Sequence, residues 1–356
     1  MMKALENTIK VVKSVEKTHK NLGLPIIFTK LIDISNLGMF LCADRGKGKT
    51  TIVTDSMIAL SHRDVLKVSI LTWAGIAKMA NEINERSLTI VNPDFSSFYT
   101  DYLKDVAVNL ISNLLTEHAV RCSTGKYVIE IKNCYISFLS AIQPRMLSKI
   151  TRISAWESMY KDRFIRFHLI YPLGTPIYTN QPPDIPKIEY LNIDPSSVII
   201  PKSVKDLEDY KRLKFLISLQ TSEGRCEDYT DRLLKASAWF NARDTVVDDD
   251  LKFLTLFFPY LLLDYLLSER EIISAPLEFN PNAYLLLSYI IEHGEARRRE
   301  LKEHFKVSWD TLKLATDKLL SLGLIKGEFT KPHYYINPKF DKLYLEPIRK
   351  FMEVIK

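Results

Sequence analysis

The chain is short of the features that mark secreted, metal-binding or membrane proteins. Its four cysteines (Cys42, Cys122, Cys134 and Cys226) are scattered, with no CxxC pair and no Cys/His metal spacing. That pattern argues against a disulfide scaffold or a zinc module and points to reduced thiols. No apolar run reaches the roughly 18 uninterrupted residues that a membrane span needs. The nearest, residues 253–267, is broken by Pro259 and Asp264. The N-terminus mixes lysine with glutamate and carries no hydrophobic signal segment. The expectation is a cytoplasmic chain with no membrane partner. The seven histidines form no metal or triad arrangement, and the formal charge of +6 permits nucleic acid without demanding it.

What remains is an ordinary globular composition, 46% apolar and 26% charged over 356 residues, enough for two or three domains. Residues 1–35 read as a helical lead-in. From 36 to 175, short β-branched and aromatic runs alternate with helical ones, predicting an α/β layer around a largely parallel sheet. The expected strands are Gly38–Cys42, Val65–Leu71, Leu88–Asn92, Cys134–Leu139 and Phe167–Tyr171. Prolines recur from Pro172 to Pro201, which marks a linker over 176–203. Helical pattern resumes over 204–275, and a third unit covers 280–356.

The most specific feature follows the first strand. Ala43-Asp44-Arg45-Gly46-Lys47-Gly48-Lys49-Thr50-Thr51 fits [AG]-x4-G-K-[ST] between an apolar strand and a helix opening. Backbone N–H groups of residues 46–50 are expected to turn around a β-phosphate, aided by the helix N-terminus. Lys49 would reach the β/γ oxygens of ATP, and the Thr50 hydroxyl would ligate Mg²⁺. A plain basic turn is the alternative. The run Leu88–Asn92 leads to Asp94, the candidate second Mg²⁺ residue; a loop-capping role is its alternative. Phe95 stands where a hydrolytic enzyme usually has glutamate, and Glu130 and Asp101 are the possible substitutes.

Residues 37–270 resemble AAA+ ATPases in several patches that occur in the right order. The run Cys134–Pro144 looks like that family's sensor 1 strand, which implies Ser140 or Gln143 at the γ-phosphate; a buried strand with a polar cap is the other reading. Tyr160-Lys161-Asp162-Arg163-Phe164 is similar to the segment carrying the arginine finger in MoxR-type and minichromosome-maintenance ATPases. It implies Arg163, with Arg166 as second choice, at a neighbouring subunit's nucleotide; a surface ion pair is the alternative. Gly224–Ala238 followed by Asn241–Leu251 looks like the AAA+ lid, implying Arg225 as the sensor 2 arginine, Arg232 further on, and Asp249 or Asp250 as a helix N-cap. A hairpin about Thr124-Gly125 lies where the pre-sensor 1 hairpin group inserts one, with Lys126 at a DNA-facing tip; a plain surface hairpin is equally open.

The last unit reads as a winged helix-turn-helix: helices Ala283–Glu292, Arg297–Phe305 and Trp309–Leu322, the third capped by Ser308, then a wing. Its DNA-facing candidates are Arg297, Arg298, Arg299, Ser308, Thr311, Lys313, Lys318 and Lys331, with Trp309, Leu312, Leu319 and Leu320 expected in the core. The fold class expected is therefore α/β, a P-loop NTPase parallel sheet of AAA+ type followed by a helical lid and a winged-helix domain. The resemblance implies an ATP- and Mg²⁺-using ATPase acting on DNA as a homo-oligomeric ring or filament. Two rivals stay open: an ATP-dependent switch with little hydrolysis, and a signalling ATPase whose winged helix packs internally.

Overall fold

A computed structural model describes residues 3–69, 73–98, 104–123, 128–152, 161–269, 278–327 and 333–355. The candidates Asp101, Lys126 and Lys331 lie outside the described residues. The chain enters through α1 (Glu6–Thr18) and α2 (Gly23–Ile34). α1 buries one stripe, Thr8, Val11, Val12 and Val15, whereas every residue of α2 is buried. A helix apolar on all sides belongs in an interior, and α2 packs on the sheet and on the later helix α9 (Glu223–Phe240). Through these two helices the helical lead-in is packed into the core layer.

The sheet is five-stranded and parallel: β1 (Gly38–Cys42), β2 (Asp64–Lys67), β3 (Ser87–Asn92), β6 (Tyr135–Ile142) and β7 (Phe164–His168), in the spatial order β2-β3-β6-β1-β7. The intervening β4 (Val120–Ser123) and β5 (Val128–Ile131) pair antiparallel as the expected hairpin. β1 is buried along its whole length and sits between β6 and the edge strand β7, so its C-terminal end is flanked by a strand on either side. The last strand begins at Phe164 rather than Phe167. Leu169 still bonds the Cys42 carbonyl, at 2.9 Å, and the buried run continues to Tyr171 beyond the ladder.

Two buried ionic clusters tie helices to this sheet. Asp33 of α2 accepts from Lys30 at 2.7 Å, Arg63 at 2.9 Å, Thr89 at 2.5 Å and Ser137 at 2.6 Å. Burial alone would raise its pKa, but the charges of Lys30 and Arg63 hold it well below the usual carboxylate range. Asp264, on the helix Phe258–Leu266, accepts from Arg166 at 2.7 Å and lies 3.0 Å from His168. Both β7 residues are almost fully buried, and the Asp264 carboxylate is what makes burial of the Arg166 guanidinium tolerable.

Residues 172–201 run largely without regular structure, as the prolines dictate, and are pinned where Tyr190 stacks on Trp239 at 4.9 Å. Helices Glu208–Ser218, α9, Asp248–Thr255 and Phe258–Leu266 follow. Neither Asp249 nor Asp250 is the N-cap of the third. Val247 occupies that place with extended backbone, and Asp250, one turn in, accepts from its amide at 2.9 Å while binding Arg243. The C-terminal unit has helices Pro281–His293, Arg298–Phe305 and Trp309–Ser321 with strands Glu295–Arg297, Ile325–Gly327 and His333–Ile336. The first strand pairs with the third, and the second closes the other side of the third. The final helix, Glu346–Ile355, returns to the body of the molecule, where Phe351 meets Phe253 at 5.6 Å.

Candidate phosphate-binding site

β1 ends at Cys42 and the chain turns at once, with the Ala43 amide still bonded to the Ile142 carbonyl of β6 at 3.2 Å. Gly46 (φ 69°) and Gly48 (φ 73°) both adopt the left-handed backbone that L-residues avoid. A Cβ on Gly48 would also come within 3.0 Å of the Leu22 methyls. These two turns fold residues 43–48 over the strand end, and the helix begins at Lys49. Its next stretch, Thr51–Asp55, is wound as a π-helix, a geometry that clusters at functional sites.

Lys49 turns back into the loop. Its Nζ donates to the Ala43 carbonyl at 2.8 Å and the Asp44 carbonyl at 2.5 Å. Burial lowers its pKa, against the opposing pull of Cys42, Asp44 and Asp94. A desolvated ammonium held only by carbonyls is ready to exchange them for phosphate oxygens. Arg45, Gly46 and Thr50 are exposed around it, Lys47 is half-buried, and Thr51 is buried.

The loop is braced from two later parts of the chain. The Tyr171 hydroxyl donates to the Lys47 carbonyl at 2.6 Å. The Lys47 ammonium meets Glu292, at the end of the helix Pro281–His293, at 2.5 Å. That carboxylate is only 1% exposed and also accepts from Ser288 at 3.2 Å and Thr175 at 3.1 Å. On the same helix the Tyr284 hydroxyl lies 2.6 Å from the Leu169 carbonyl and 3.1 Å from that of Cys42. The C-terminal unit is therefore docked on the loop. Glu292, Tyr171 and Tyr284 were not expected from the sequence, because nothing local marks them.

The other candidates separate into two groups. Asp94 follows β3 at the loop end of the sheet, is exposed, and accepts from the Ser96 amide at 3.0 Å, so it caps the turn Phe95–Phe98. Its charge also acts on Lys49. Phe95 is buried edge-on to Phe40 at 4.8 Å, so no acid replaces the missing glutamate there. Glu130 is exposed and pairs with Lys132 at 2.8 Å. Ser140 is fully buried and donates to Asn92 inside the sheet at 2.7 Å, so it does not face the loop. Gln143, directly after β6 and half-buried, adjoins Ala43 through the Ile142 carbonyl.

Arg163 and Arg225 lie at the opposite end of the sheet. Phe164 pairs with Gly38 at the start of β1, so Arg163 stands roughly 20 Å from the loop by strand rise. Its Nε and Nη1 are buried without hydrogen-bond partners among the described residues. Arg225, expected at the nucleotide, instead pairs with Asp162 at 3.1 Å, because α9 begins beside that edge. Arg232 pairs with Asp228 at 2.8 Å. Arg166 is excluded as a finger: besides Asp264 it donates to the Lys161, Phe164 and Gln220 carbonyls at 2.6, 2.9 and 3.0 Å.

In the C-terminal unit Arg297 and Lys313 are exposed, Arg298 is half-buried, and Arg299 pairs with Glu303 at 2.7 Å. Ser308 caps the helix Trp309–Ser321 through the Thr311 amide at 3.1 Å. Lys318 is held by Glu269, so it is not free on the helix face. Trp309 is not core. It is 45% exposed, whereas Leu312 and Leu319 are fully buried and Leu320 partly so.

Among the described residues no three His, Cys, Asp or Glu side chains converge as a metal cluster. Mg²⁺ beside phosphates needs only one or two protein oxygens, and Thr50 with Asp94 has that donor chemistry. No protein-family model matches the chain, and neither does any curated protein.

Proposed function

We propose that this chain binds ATP in the loop Ala43–Thr51 and uses nucleotide occupancy to set the position of its C-terminal unit on DNA. The observation that carries the reading is the loop itself: two left-handed glycines, a helix opening at Lys49, and the Lys49 ammonium turned inward. ATP phosphates would replace the Ala43 and Asp44 carbonyls on Lys49 and take the amides of residues 46–50. Thr50 and Asp94 would hold Mg²⁺, which supplies charge neutralisation on the phosphates. Gln143 is the better placed of the two sensor candidates.

The resemblance to AAA+ ATPases gains support from the parallel sheet with the loop at the end of its interior strand β1. Arg163 lies at the end of the sheet away from its own loop, and its Nε and Nη1 have no hydrogen-bond partner among the described residues, which suits contact with a second copy's nucleotide. The winged-helix reading is supported by the element order of the last unit, with its strand-one-to-strand-three pairing. The helices 204–266 stand as the lid candidate, although Arg225 points to Asp162.

A second reading, a switch with little turnover, is favoured by buried Phe95 and by the Glu292–Lys47 contact. ATP hydrolysis by the purified protein, with and without single- and double-stranded DNA, separates the two. DNA-stimulated turnover lost in both Lys49→Ala and Arg163→Ala is the expected result for an oligomeric ATPase on DNA. Tight ATP binding without turnover selects the switch, and absence of ATP binding removes both readings.

A further inference from the structure

Trp309 is the first residue of its helix and lies off the face that packs: Leu312, Ala315, Thr316 and Leu319 are the buried ones. A large aromatic left 45% exposed contributes little to the core, so its place calls for another use. The ring is set among cations. The Lys302 ammonium lies 4.4 Å from its centroid and the Arg298 guanidinium 5.4 Å. Lys302 and Lys306 line, together with Trp309, Val307 and the Arg299–Glu303 pair, a concavity of about 670 Å³ beside the ring. Arg299 is neutralised by Glu303, but among the described residues no carboxylate pairs with Arg298, Lys302 or Lys306. The outward positions further along the helix are different. Asp310 and Asp317 flank Lys313, and Lys318 is held by Glu269. That face has no net positive charge to lay along a duplex groove, whereas the Trp309 corner is cationic and aromatic together.

We infer that Trp309 is a stacking platform for an unpaired nucleobase, with Lys302, Arg298 and Lys306 taking the adjoining phosphates, so that the C-terminal unit prefers single-stranded or opened DNA to intact duplex. Every base offers a π-face to an indole, and flanking cations follow the backbone. The inference rests on the DNA reading above.

The test is fluorescence anisotropy of full-length wild type, Trp309→Ala and Trp309→Phe with a labelled mixed-sequence strand and with the same sequence as duplex. Wild type should bind the strand more tightly. Trp309→Ala should weaken strand binding about 5- to 100-fold, leave duplex binding unchanged, and be largely rescued by Trp309→Phe. Equal loss on both polymers, or no loss on the strand while DNA still binds, overturns the stacking role and leaves the DNA reading intact. Salt-dependent binding of neither polymer removes the DNA reading and this inference with it. A polyglutamate peptide that binds with the same dependence on Trp309 overturns it in favour of an acidic polypeptide.

Discussion

His62 lies 2.6 Å from the Lys30 ammonium through Nδ1, which can therefore only accept, so the ring is neutral. Burial, with Lys30 second, pulls its pKa down to about 3. The unfolded chain takes up that proton near the ordinary value, about 6.5. A folded pKa below the unfolded one means the stabilisation is complete above about pH 6.5 and is lost as pH falls toward 3. Well below pH 6.5 the loss should be about 1.4 kcal/mol per pH unit from this group alone. Urea unfolding at pH 7 and pH 5 checks it: His62→Gln should lose less stability across that interval than wild type, and equal losses would remove His62 as the cause. Asp264 gives a second residue-scale prediction. Burial would raise its pKa, but Arg166 and His168 hold it at about 2. Asp264→Asn leaves the buried Arg166 without its counter-charge and should cost about 3–5 kcal/mol in the same experiment. A cost under about 1 kcal/mol would mean that the carbonyl partners of Arg166 suffice.

The shape of the loop Ala43–Thr51 was legible because everything that sets it is contiguous: strand, two glycines, lysine and helix start fall within residues 38–51. The parallel sheet and the pairing of β4 with β5 were legible for the same reason, since periodicity is local. What closes over the loop was not. Glu292 is 245 positions from Lys47, and its sequence context is an ordinary helix end before Gly294. Ser140 and Arg225 are held by partners that no local pattern names. Ser140 points along the sheet to Asn92, and Arg225 sits on a helix that starts at the far edge. Trp309 matched a helical apolar spacing but falls just outside the buried stripe. The Glu292 brace carries an element-scale prediction. Glu292→Gln keeps the shape and removes the charge, so the helix Pro281–His293 should exchange its amides faster while the sheet does not. Its stability cost should be about 1–3 kcal/mol. Unchanged exchange in that helix would mean that Tyr284 alone holds it.

For the molecule as a whole, three features carry the proposed reading: the loop end of the sheet, the helix that braces it, and the cationic corner around Trp309. On the proposed reading, ATP in the loop would add negative charge beside Lys47, the residue on which Glu292 depends, so nucleotide and brace would be linked through one side chain. On the same reading, the opposite end of the sheet, with Arg163, would meet a second copy of the chain. All of this hangs on one claim, that the loop Ala43–Thr51 holds ATP. Calorimetric titration of ATP with Mg²⁺ into wild type and Lys49→Ala tests it most directly, with circular dichroism to show that the variant is folded. The account predicts saturable binding by wild type that is lost in Lys49→Ala with the fold intact. Binding of equal strength in both, or none in wild type, would contradict it.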